Sequence, residues 1–482
     1  MKKINIILGL GALIILVAGY SVFEYSSKKV TSANALEAAG LSNTSTTTAT
    51  PIIVLDICSL RRDHLSGYGY NRNTSPNLDA FMKESDAFDN YWTESGFCLP
   101  NFSTLFTGTR PEVHNMLLDK TGSSKLSPKF ETLAEILKQG GYTTAAFVGS
   151  RFLLPSTDKD SSGLDRGFDV FNNSFMPTRD AQHMQEGSFE DNLPTVKNWL
   201  STNRSNPFFL YVTIDDLHSP YRTDNDKTFF PNYKGILDTV VPDMTFDRAY
   251  NKEDLSIVSS LNLPAAIKEF NSSPDNMKYL IAKYDAAIQR TDRLTGEFLD
   301  ALKKDGLYDK SLIIITVHQG EQLGEHNLLG HTQGLYEPIL GVPLFIKYPG
   351  QTTAHRFSQL TERIDLPATI LDEVGVLANH QQFTGKSLLP LLKDPSAVWE
   401  KPYIFASSKP TKWPINNNKL VEERAVRDNQ YKLIWFGYKA QPYELYDLKA
   451  DPSEKQNLVS TSPDVFNRLK TALDNYIAAN PQ

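Results

Sequence analysis

Cysteine is almost absent from this 482-residue chain, which has only Cys58 and Cys98. A disulfide-dense scaffold is therefore excluded, and at most one bridge can form. An excess of positive charge is also missing, since 49 Lys and Arg stand against 56 Asp and Glu, for a net charge of -7. The chain thus lacks the electrostatic pattern of nucleic-acid binding, and no nucleic-acid partner is expected. The mean hydropathy of -0.35 excludes a polytopic membrane protein.

One long uncharged apolar run is present, at residues 4–23. It is long enough to span a bilayer as a helix, and it exceeds the usual apolar region of a signal peptide. We therefore expect residues 1–25 to be an uncleaved signal anchor, with a cleaved signal peptide as the alternative. Residues 26–50 are rich in Ser, Thr and Ala and are typical of a flexible tether. This arrangement predicts an extracytoplasmic protein of the cell envelope, periplasmic or on the outer face of the inner membrane, attached to the membrane through its N-terminal helix.

Short apolar runs alternate with longer amphipathic stretches along the rest of the chain. The apolar runs, which predict buried strands, are residues 52–55, 145–148, 208–212, 312–316 and 343–347. Residues 129–139 and 279–304 have the apolar spacing of helices. This alternation predicts an α/β fold in which a mostly parallel sheet is sandwiched by helices. We assign that fold to residues 51–375, and we assign residues 376–482 to a smaller C-terminal α+β subdomain.

Side chains that can carry chemistry cluster directly after predicted strands. The four clusters are residues 56–64, 97–108, 215–221 and 317–326, with His331 a little further on. Any single cluster is better explained by Asp and His capping helices and satisfying loop backbone groups. Four clusters together are better explained by a functional site, because in a parallel sheet the site forms at the carboxyl ends of the strands. Asp, His and Cys at strand ends are also where a metal-assisted hydrolase places its ligands.

Several longer segments follow one another in an order that is specific to one family. They are Leu60-Arg61-Arg62-Asp63-His64 through Tyr70, residues 73–79, Leu105-Phe106-Thr107-Gly108, residues 320–326, 342–344 and 364–370, and Glu444-Leu445-Tyr446-Asp447-Leu448 with Asp451-Pro452. In this order the segments resemble the sulfatase family of the alkaline-phosphatase superfamily, over nearly all of residues 51–460. The resemblance implies the sulfatase-like fold and a sulfuric ester hydrolase acting on an anionic ester or glycan. It also implies one divalent metal, usually calcium held by oxygen ligands, and a nucleophile formed by converting a cysteine to formylglycine in a Cys-x-Pro-x-Arg context.

The nucleophile position departs from the pattern that the resemblance implies. It falls on Cys98, and Pro100 is in place, but Phe102 stands where the arginine is expected. The loss of that arginine argues against formylglycine at Cys98. His218 and His331 are retained, so the resemblance makes Cys98, His218 and His331 the candidate catalytic residues.

The metal-binding positions depart further from the family pattern. Cys58 and His318 replace two carboxylates, Gln319 follows His318, and Asp56 can substitute only with a backbone shift. The candidate metal ligands are therefore Cys58, His318, Gln319 and Asp56. Replacing the two carboxylates removes two negative charges and two oxygen donors, whereas thiolate and imidazole select zinc or copper. Ordinary calcium-dependent sulfatase activity is not expected from this set.

The family's Lys-x-x-His segment falls on residues 149–152, where both the lysine and the histidine are absent. Further candidates for contact with an anion are Arg110, His114 and Arg151.

The two cysteines themselves leave three interpretations open. They form a disulfide in an oxidising compartment, or they bind a soft metal with His318 and with Gln319 or His331. Alternatively, the Cys98 thiol is free as a nucleophile or formylglycine precursor. Two functions stay open with them: a sulfatase-like hydrolase with an altered metal and nucleophile site, or a catalytically degenerate relative that binds an anionic ligand, a soft metal or a partner.

Overall fold

A computed structural model describes the chain at residues 49–116, 124–158, 160–174, 187–243, 246–247, 250–251, 263–331, 333–408 and 422–480. The predicted signal anchor and nearly all of the predicted tether lie outside these residues. No helix within the described ranges is long and apolar enough to cross a membrane. Membrane attachment and the cell-envelope location therefore stay predictions.

The strands of the described residues form three sheets. In chain order the strands are β1 (Ile52–Ile57), β2 (Asp86–Trp92), β3 (Thr143–Phe147), β4 (Val170–Asn172), β5 (Phe208–Ile214), β6 (Leu312–Val317), β7 (Gln322–Leu323), β8 (Leu329–Gly330), β9 (Phe345–Lys347), β10 (Arg356–Glu362), β11 (Ile404–Ser408), β12 (Glu423–Arg427), β13 (Tyr431–Phe436) and β14 (Tyr443–Asp447). The large sheet has the order β10-β2-β9-β6-β1-β5-β3-β4. Its neighbouring strands are parallel, except that β9 runs antiparallel to β2 and β6. Strands β11 to β14 form an antiparallel sheet, and β7 pairs with β8.

Helices flank the large sheet, as the alternating sequence pattern predicts. The α-helices are α1 (Pro76–Met82), α2 (Cys98–Thr107), α3 (Pro111–His114), α4 (Leu133–Gln139), α5 (Phe189–Asn203), α6 (Leu263–Phe270), α7 (Pro274–Lys304), α8 (Glu337–Leu340), α9 (Asp365–Glu373), α10 (Leu389–Lys393) and α11 (Pro463–Ala479). Single 3-10 turns occupy Arg62–His64, Ser66–Tyr68, Ile236–Asp238, Glu325–Asn327 and Leu377–Asn379.

Capping side chains decide where the two predicted helices begin. Helix α4 starts only at Leu133, later than its apolar spacing predicts, because Thr132 and Glu135 form a capping box. Helix α7 starts at Pro274, ahead of its predicted start, since Ser273 caps it by accepting a hydrogen bond from the Asp275 amide at 3.3 Å.

The central strand β1 positions the site. Strands β5 and β6 pair with it on either side, and every residue of β1 is buried. In the register of these three strands, Ile57 lies opposite both Ile214 and Val317. The three strands therefore end at the same level of the sheet, and the segments that follow them, which carry Cys58 and His318, meet at one edge.

The antiparallel sheet is joined to the large sheet through a buried carboxylate, Glu362, at the end of β10. Glu362 accepts hydrogen bonds from the Arg110 guanidinium at 3.0 and 2.9 Å, from Lys401 Nζ at 2.8 Å and from the Phe405 amide at 2.8 Å. The predicted fold class is confirmed: a mostly parallel sheet is flanked by helices, and a smaller antiparallel sheet follows toward the C-terminus. The predicted boundary after residue 375 stays a prediction.

Candidate active site and metal centre

The segment after β1 makes a sharp turn that places Cys58 and Ser59 in the interior. The Cys58 amide donates to the Ile214 carbonyl at 2.8 Å, which continues the pairing of β1 with β5. Ser59 has a φ of 54°, in the left-handed region that residues other than glycine rarely adopt. Its hydroxyl donates to Glu321 Oε2 at 2.8 Å. Strained backbone of this kind clusters at functional sites, where the surrounding structure holds it.

Cys98 is the first residue of α2, and its side chain lies beside Cys58. Phe97 before it is extended, so Cys98 stands where free backbone N–H groups and the helix dipole favour negative charge. Gln319 Nε2 donates to Cys98 Sγ at 3.3 Å and to Cys58 Sγ at 3.4 Å. Both cysteines are free thiols in the structure.

His318 faces the two sulfurs and is held from behind by a carboxylate. Its Nδ1 lies 3.1 Å from Asp56 Oδ1, and a ring nitrogen of His318 lies within 4.8 Å of the sulfurs of Cys58 and Cys98. Since Nδ1 points to Asp56, Nε2 is the nitrogen directed at the sulfurs. It makes no hydrogen bond to any described residue, although the side chain is completely buried. Phe102, at the position of the expected arginine, packs against His318, with the two ring centroids 4.5 Å apart.

Asp56 acts through His318 and does not reach the sulfurs itself. Both of its oxygens are paired with the Arg363 guanidinium, and Oδ2 also accepts a hydrogen bond from Tyr211 at 2.7 Å. Burial on its own would raise the pKa of Asp56, but Arg363 and His318 hold that pKa below its usual range. The carboxylate thus fixes the orientation of the His318 ring.

Two further histidines, His218 and His331, lie near Cys98. His331 Nδ1 is 2.8 Å from Glu321 Oε2, and His218 Nδ1 donates to the Ser219 carbonyl at 2.8 Å. The two rings stand nearly perpendicular, with centroids 5.2 Å apart. A ring nitrogen of each histidine lies within 4.8 Å of Cys98 Sγ. The structure therefore brings together Cys98, His218 and His331, the three predicted catalytic residues.

The electrostatics of the group separate its two thiols. The Cys58 thiol, together with His318 and His331, holds the pKa of Cys98 well below its usual range, whereas burial raises the pKa of Cys58 well above it. Burial disfavours the charged form of His318, but Asp56 and the Cys98 sulfur raise its pKa to about 9. Against the same effect of burial, Glu321 and Cys98 raise the pKa of His331 to about 10. The helix N-terminus and the neighbouring His218 and His331 likewise favour negative charge on Cys98.

The donor set does not fit calcium. Calcium takes six to eight oxygen ligands, but the positions that should supply them present the sulfur of Cys58, the imidazole of His318 and the amide of Gln319. The Ser59 hydroxyl is directed to Glu321, and the oxygens of Asp56 are paired with Arg363.

Two of the three predicted anion contacts, Arg110 and His114, are engaged elsewhere. Arg110 forms a bidentate pair with Glu362. His114 Nε2 lies 3.2 Å from the Thr104 hydroxyl, and burial lowers its pKa to about 3, which keeps it neutral. Arg151 places its guanidinium 4.9 Å from the centroid of the Phe152 ring.

Two residues of the site were not predicted from the sequence. Glu321 is the common partner of His331, of the Ser59 hydroxyl and of the Tyr221 hydroxyl, the last at 3.3 Å. Its place in the same segment as His318 was the available signal. Arg363, which neutralises Asp56, lies between β10 and α9, and no spacing pattern marks it.

Comparison with known proteins gives consistent matches over most of the chain. A family model described as Sulfatase matches residues 52–376, and one described as N-sulphoglucosamine sulphohydrolase, C-terminal, matches residues 324–479. The chain is 25% identical over 432 residues to Arylsulfatase K of Bos taurus, covering 82% of this chain and 76% of that protein. It is 24% identical over 461 residues to an N-acetylglucosamine-6-O-sulfatase of Bacteroides thetaiotaomicron, covering 82% and 80%. A solved structure of a 2-O GAG sulfatase superposes with a TM-score of 0.69 at 18% identity, covering 90% of this chain and 92% of that one.

Proposed function

Starting from the fact that this chain belongs to the sulfatase family, we propose that it is a sulfuric ester hydrolase that uses the Cys98 thiolate as its nucleophile. One observation carries the proposal. Cys98 begins α2 within reach of His218 and His331, whose Nδ1 atoms are held by the Ser219 carbonyl and by Glu321. Their Nε2 atoms are thereby left to face the reacting group, as nucleophile–base–carboxylate constellations require.

The proposed reaction has two steps. In the first, the Cys98 thiolate attacks the ester sulfur, so that a sulfur–sulfur bond forms and the bond from sulfur to the ester oxygen breaks. His331 gives its Nε2 proton to the leaving alcohol, and Glu321 stabilises the ring through Nδ1. In the second step, His331 takes a proton from a water molecule, and the oxygen of that water attacks the sulfate sulfur. The sulfur–sulfur bond breaks, sulfate is released and the Cys98 thiolate is restored.

The proposed substrate is a sulfated amino sugar or a glycan that contains one. The match of residues 324–479 to the N-sulphoglucosamine sulphohydrolase C-terminal model supports this class, as does the relative that acts on N-acetylglucosamine 6-sulfate. We place the reaction outside the cytoplasm, with residues 4–23 as the membrane anchor, because such a run has the length of a spanning helix.

The test is turnover by the full chain of 4-nitrophenyl sulfate and of N-acetylglucosamine 6-sulfate, with matched phosphate and phosphonate esters. Cys98→Ala should abolish turnover. Ser103→Ala is the matched control, because Ser103 is a buried residue of the same helix whose hydroxyl, among the described residues, bonds to the Leu99 carbonyl within that helix. If the folded wild-type protein hydrolyses none of these esters with any added divalent metal, the proposal is wrong. Mass spectrometry should find an unmodified cysteine at residue 98, and formylglycine there would contradict the thiolate mechanism.

A second candidate function is a catalytically degenerate relative that binds an anionic ligand. The observation in its favour is closure of the site: Cys98 and His218 are each 4% exposed, and His331 is 7% exposed. Calorimetry with a sulfated amino sugar distinguishes the two functions. Binding without turnover by the wild-type protein favours the degenerate relative, whereas turnover that is lost in Cys98→Ala favours the hydrolase.

A further inference from the structure

We propose that Cys58, Cys98 and His318 form a binding site for a thiophilic cation, with Zn²⁺ as the preferred ion, at the place where calcium is expected in the family. The two sulfurs and a ring nitrogen of His318 all lie within 4.8 Å of one another. In a tetrahedral zinc site, ligand atoms are separated by about 3.6–3.8 Å, which follows from the usual Zn–S and Zn–N distances. Side-chain adjustments of about an ångström therefore suffice to enclose one ion.

The environment of His318 matches that of a metal-bound imidazole. Histidines that bind metals usually donate their other N–H to a carboxylate, which fixes the ring and its tautomer. Asp56 occupies that position at 3.1 Å from Nδ1, and Arg363 and Tyr211 hold Asp56 in turn. His318 Nε2 is left with no hydrogen-bond partner among the described residues. A buried polar atom without a partner is costly, and a cation between the sulfurs supplies the partner.

Charge balance favours zinc over copper(I). The site is fully buried at Cys58 and His318, so that net charge there is expensive. Two thiolates and a neutral imidazole with Zn²⁺ sum to zero, whereas the same ligands with Cu⁺ leave one uncompensated negative charge. The charge of Asp56 is already balanced by Arg363.

Three protein ligands leave one position of the metal open. Gln319 donates to both sulfurs through Nε2, while its Oε1 has no hydrogen-bond partner among the described residues. Cys98 also borders the His218 and His331 side of the site. A site with three protein ligands and one free position is the arrangement of catalytic zinc, in contrast to closed structural sites with four. The cation would keep Cys98 deprotonated, since ligand cysteines bind as thiolates.

The experiment measures metal binding without reference to turnover. The full chain, purified under reducing conditions and stripped with a chelator, is titrated separately with Zn²⁺, Cu⁺ and Ca²⁺, and bound metal is quantified by mass spectrometry. We expect one equivalent of zinc and no competition by calcium. Substitution by Co²⁺ should give the absorption of thiolate-to-cobalt charge transfer. Stoichiometric copper(I) in place of zinc would still support the thiophilic site.

Variants locate the ion. Cys58→Ser and His318→Gln should each weaken zinc binding by about 100-fold or more, because even residues that merely orient ligands contribute 10- to 100-fold. His114→Gln is the matched control, since His114 is another buried histidine whose ring bonds to Thr104 and to the Met116 amide. If a variant fails to fold, the cobalt spectrum of the wild-type protein still decides between sulfur and oxygen ligands.

The proposal is overturned by preferential calcium binding, by thiols that stay metal-free in the presence of zinc, or by a Cys58–Cys98 disulfide in the protein isolated from its own compartment. Zinc binding with no ester hydrolysis would support the metal site and refute the proposed function. Hydrolysis by a metal-free protein with no affinity for zinc would refute the metal site and support the proposed function.

Discussion

Replacing Arg363 by methionine should cost more stability than any exposed charge change in this protein. Arg363 and Asp56 are both fully buried, and the guanidinium also donates from Nε to the Asn101 carbonyl at 2.9 Å. Methionine retains much of the side-chain volume, but it leaves the Asp56 carboxylate without its counter-charge. Removing one partner of a buried ion pair costs about 3–5 kcal/mol.

That cost is large compared with a total stability of about 5–15 kcal/mol. At a denaturant slope of about 2–3 kcal/mol/M, Arg363→Met should lower the urea midpoint by about 1–2.5 M. The assay is urea unfolding followed by far-ultraviolet circular dichroism and tryptophan fluorescence. Arg204→Met serves as the control, because its pair with Asp305 is 3.7 Å long and the arginine is 56% exposed, so a change of at most about 1 kcal/mol is expected.

A double variant tests the reason for the loss. Asp56→Leu combined with Arg363→Met removes the orphaned charge as well, and replacing a whole buried pair by apolar residues is often nearly neutral. The double variant should therefore recover a large part of the lost midpoint. An Arg363→Met midpoint equal to that of Arg204→Met, or a double variant that costs the sum of the two single ones, would show that the loss does not come from an uncompensated Asp56 charge.

Three further predictions concern regions away from the sulfurs. Burial and the nearby Glu362 charge raise the pKa of Glu94 to about 8. The folded state therefore holds a proton that the unfolded state releases, and the stability falls as the pH rises from 4.5 to about 8. Glu94→Gln should remove part of that fall, which would appear as a smaller difference between the urea midpoints at pH 4.5 and pH 8. Gly108→Ala should destabilise by more than about 1 kcal/mol, because Gly108 has a φ of 61° and a Cβ there would lie 2.2 Å from Phe383; an unchanged melting temperature would contradict this. Thr132→Ala, which removes the cap of α4, should cost about 1 kcal/mol in the same melting assay, whereas Thr132→Ser should cost less.

Five strands of the large sheet, β1, β3, β5, β6 and β9, were predictable because burial on both faces leaves a clear pattern in the sequence, whereas β2, β4 and β10 were not predicted. The run at residues 52–55 reads as a strand on its own, and β1 extends it only through Asp56 and Ile57. Asp56 breaks the apolar pattern, yet it lies in the strand because Arg363, distant in sequence, neutralises it. Such a pairing is fixed by tertiary structure, so inspection of either segment alone does not reveal it.

The members of the site were more predictable than their contacts. The ends of parallel strands meet at one edge, which is why residues as far apart as Cys58 and His318 could be expected together. The orientations of the side chains were not predictable, since they depend on the hydrogen bonds that each side chain forms in the folded protein. Asp56 was expected as a metal ligand, and the structure places its oxygens on Arg363, Tyr211 and His318. Glu321 gained its central role from contacts with three separate segments.

The arrangement around Cys98 makes the proposed metal and the proposed acid separable. Cys58 and His318 form one group of possible ligand atoms with Cys98, while His331 belongs to a second group with Cys98 and His218 and is held by Glu321. Replacing His331 by glutamine removes no member of the Cys58, Cys98 and His318 group. His331→Gln should therefore retain zinc stoichiometry and lose turnover, whereas Cys58→Ser should lose zinc with the His331–Glu321 pair intact. Parallel loss of zinc and turnover in His331→Gln would mean that this histidine is itself a ligand, and that the metal is held by the second group, Cys98, His218 and His331.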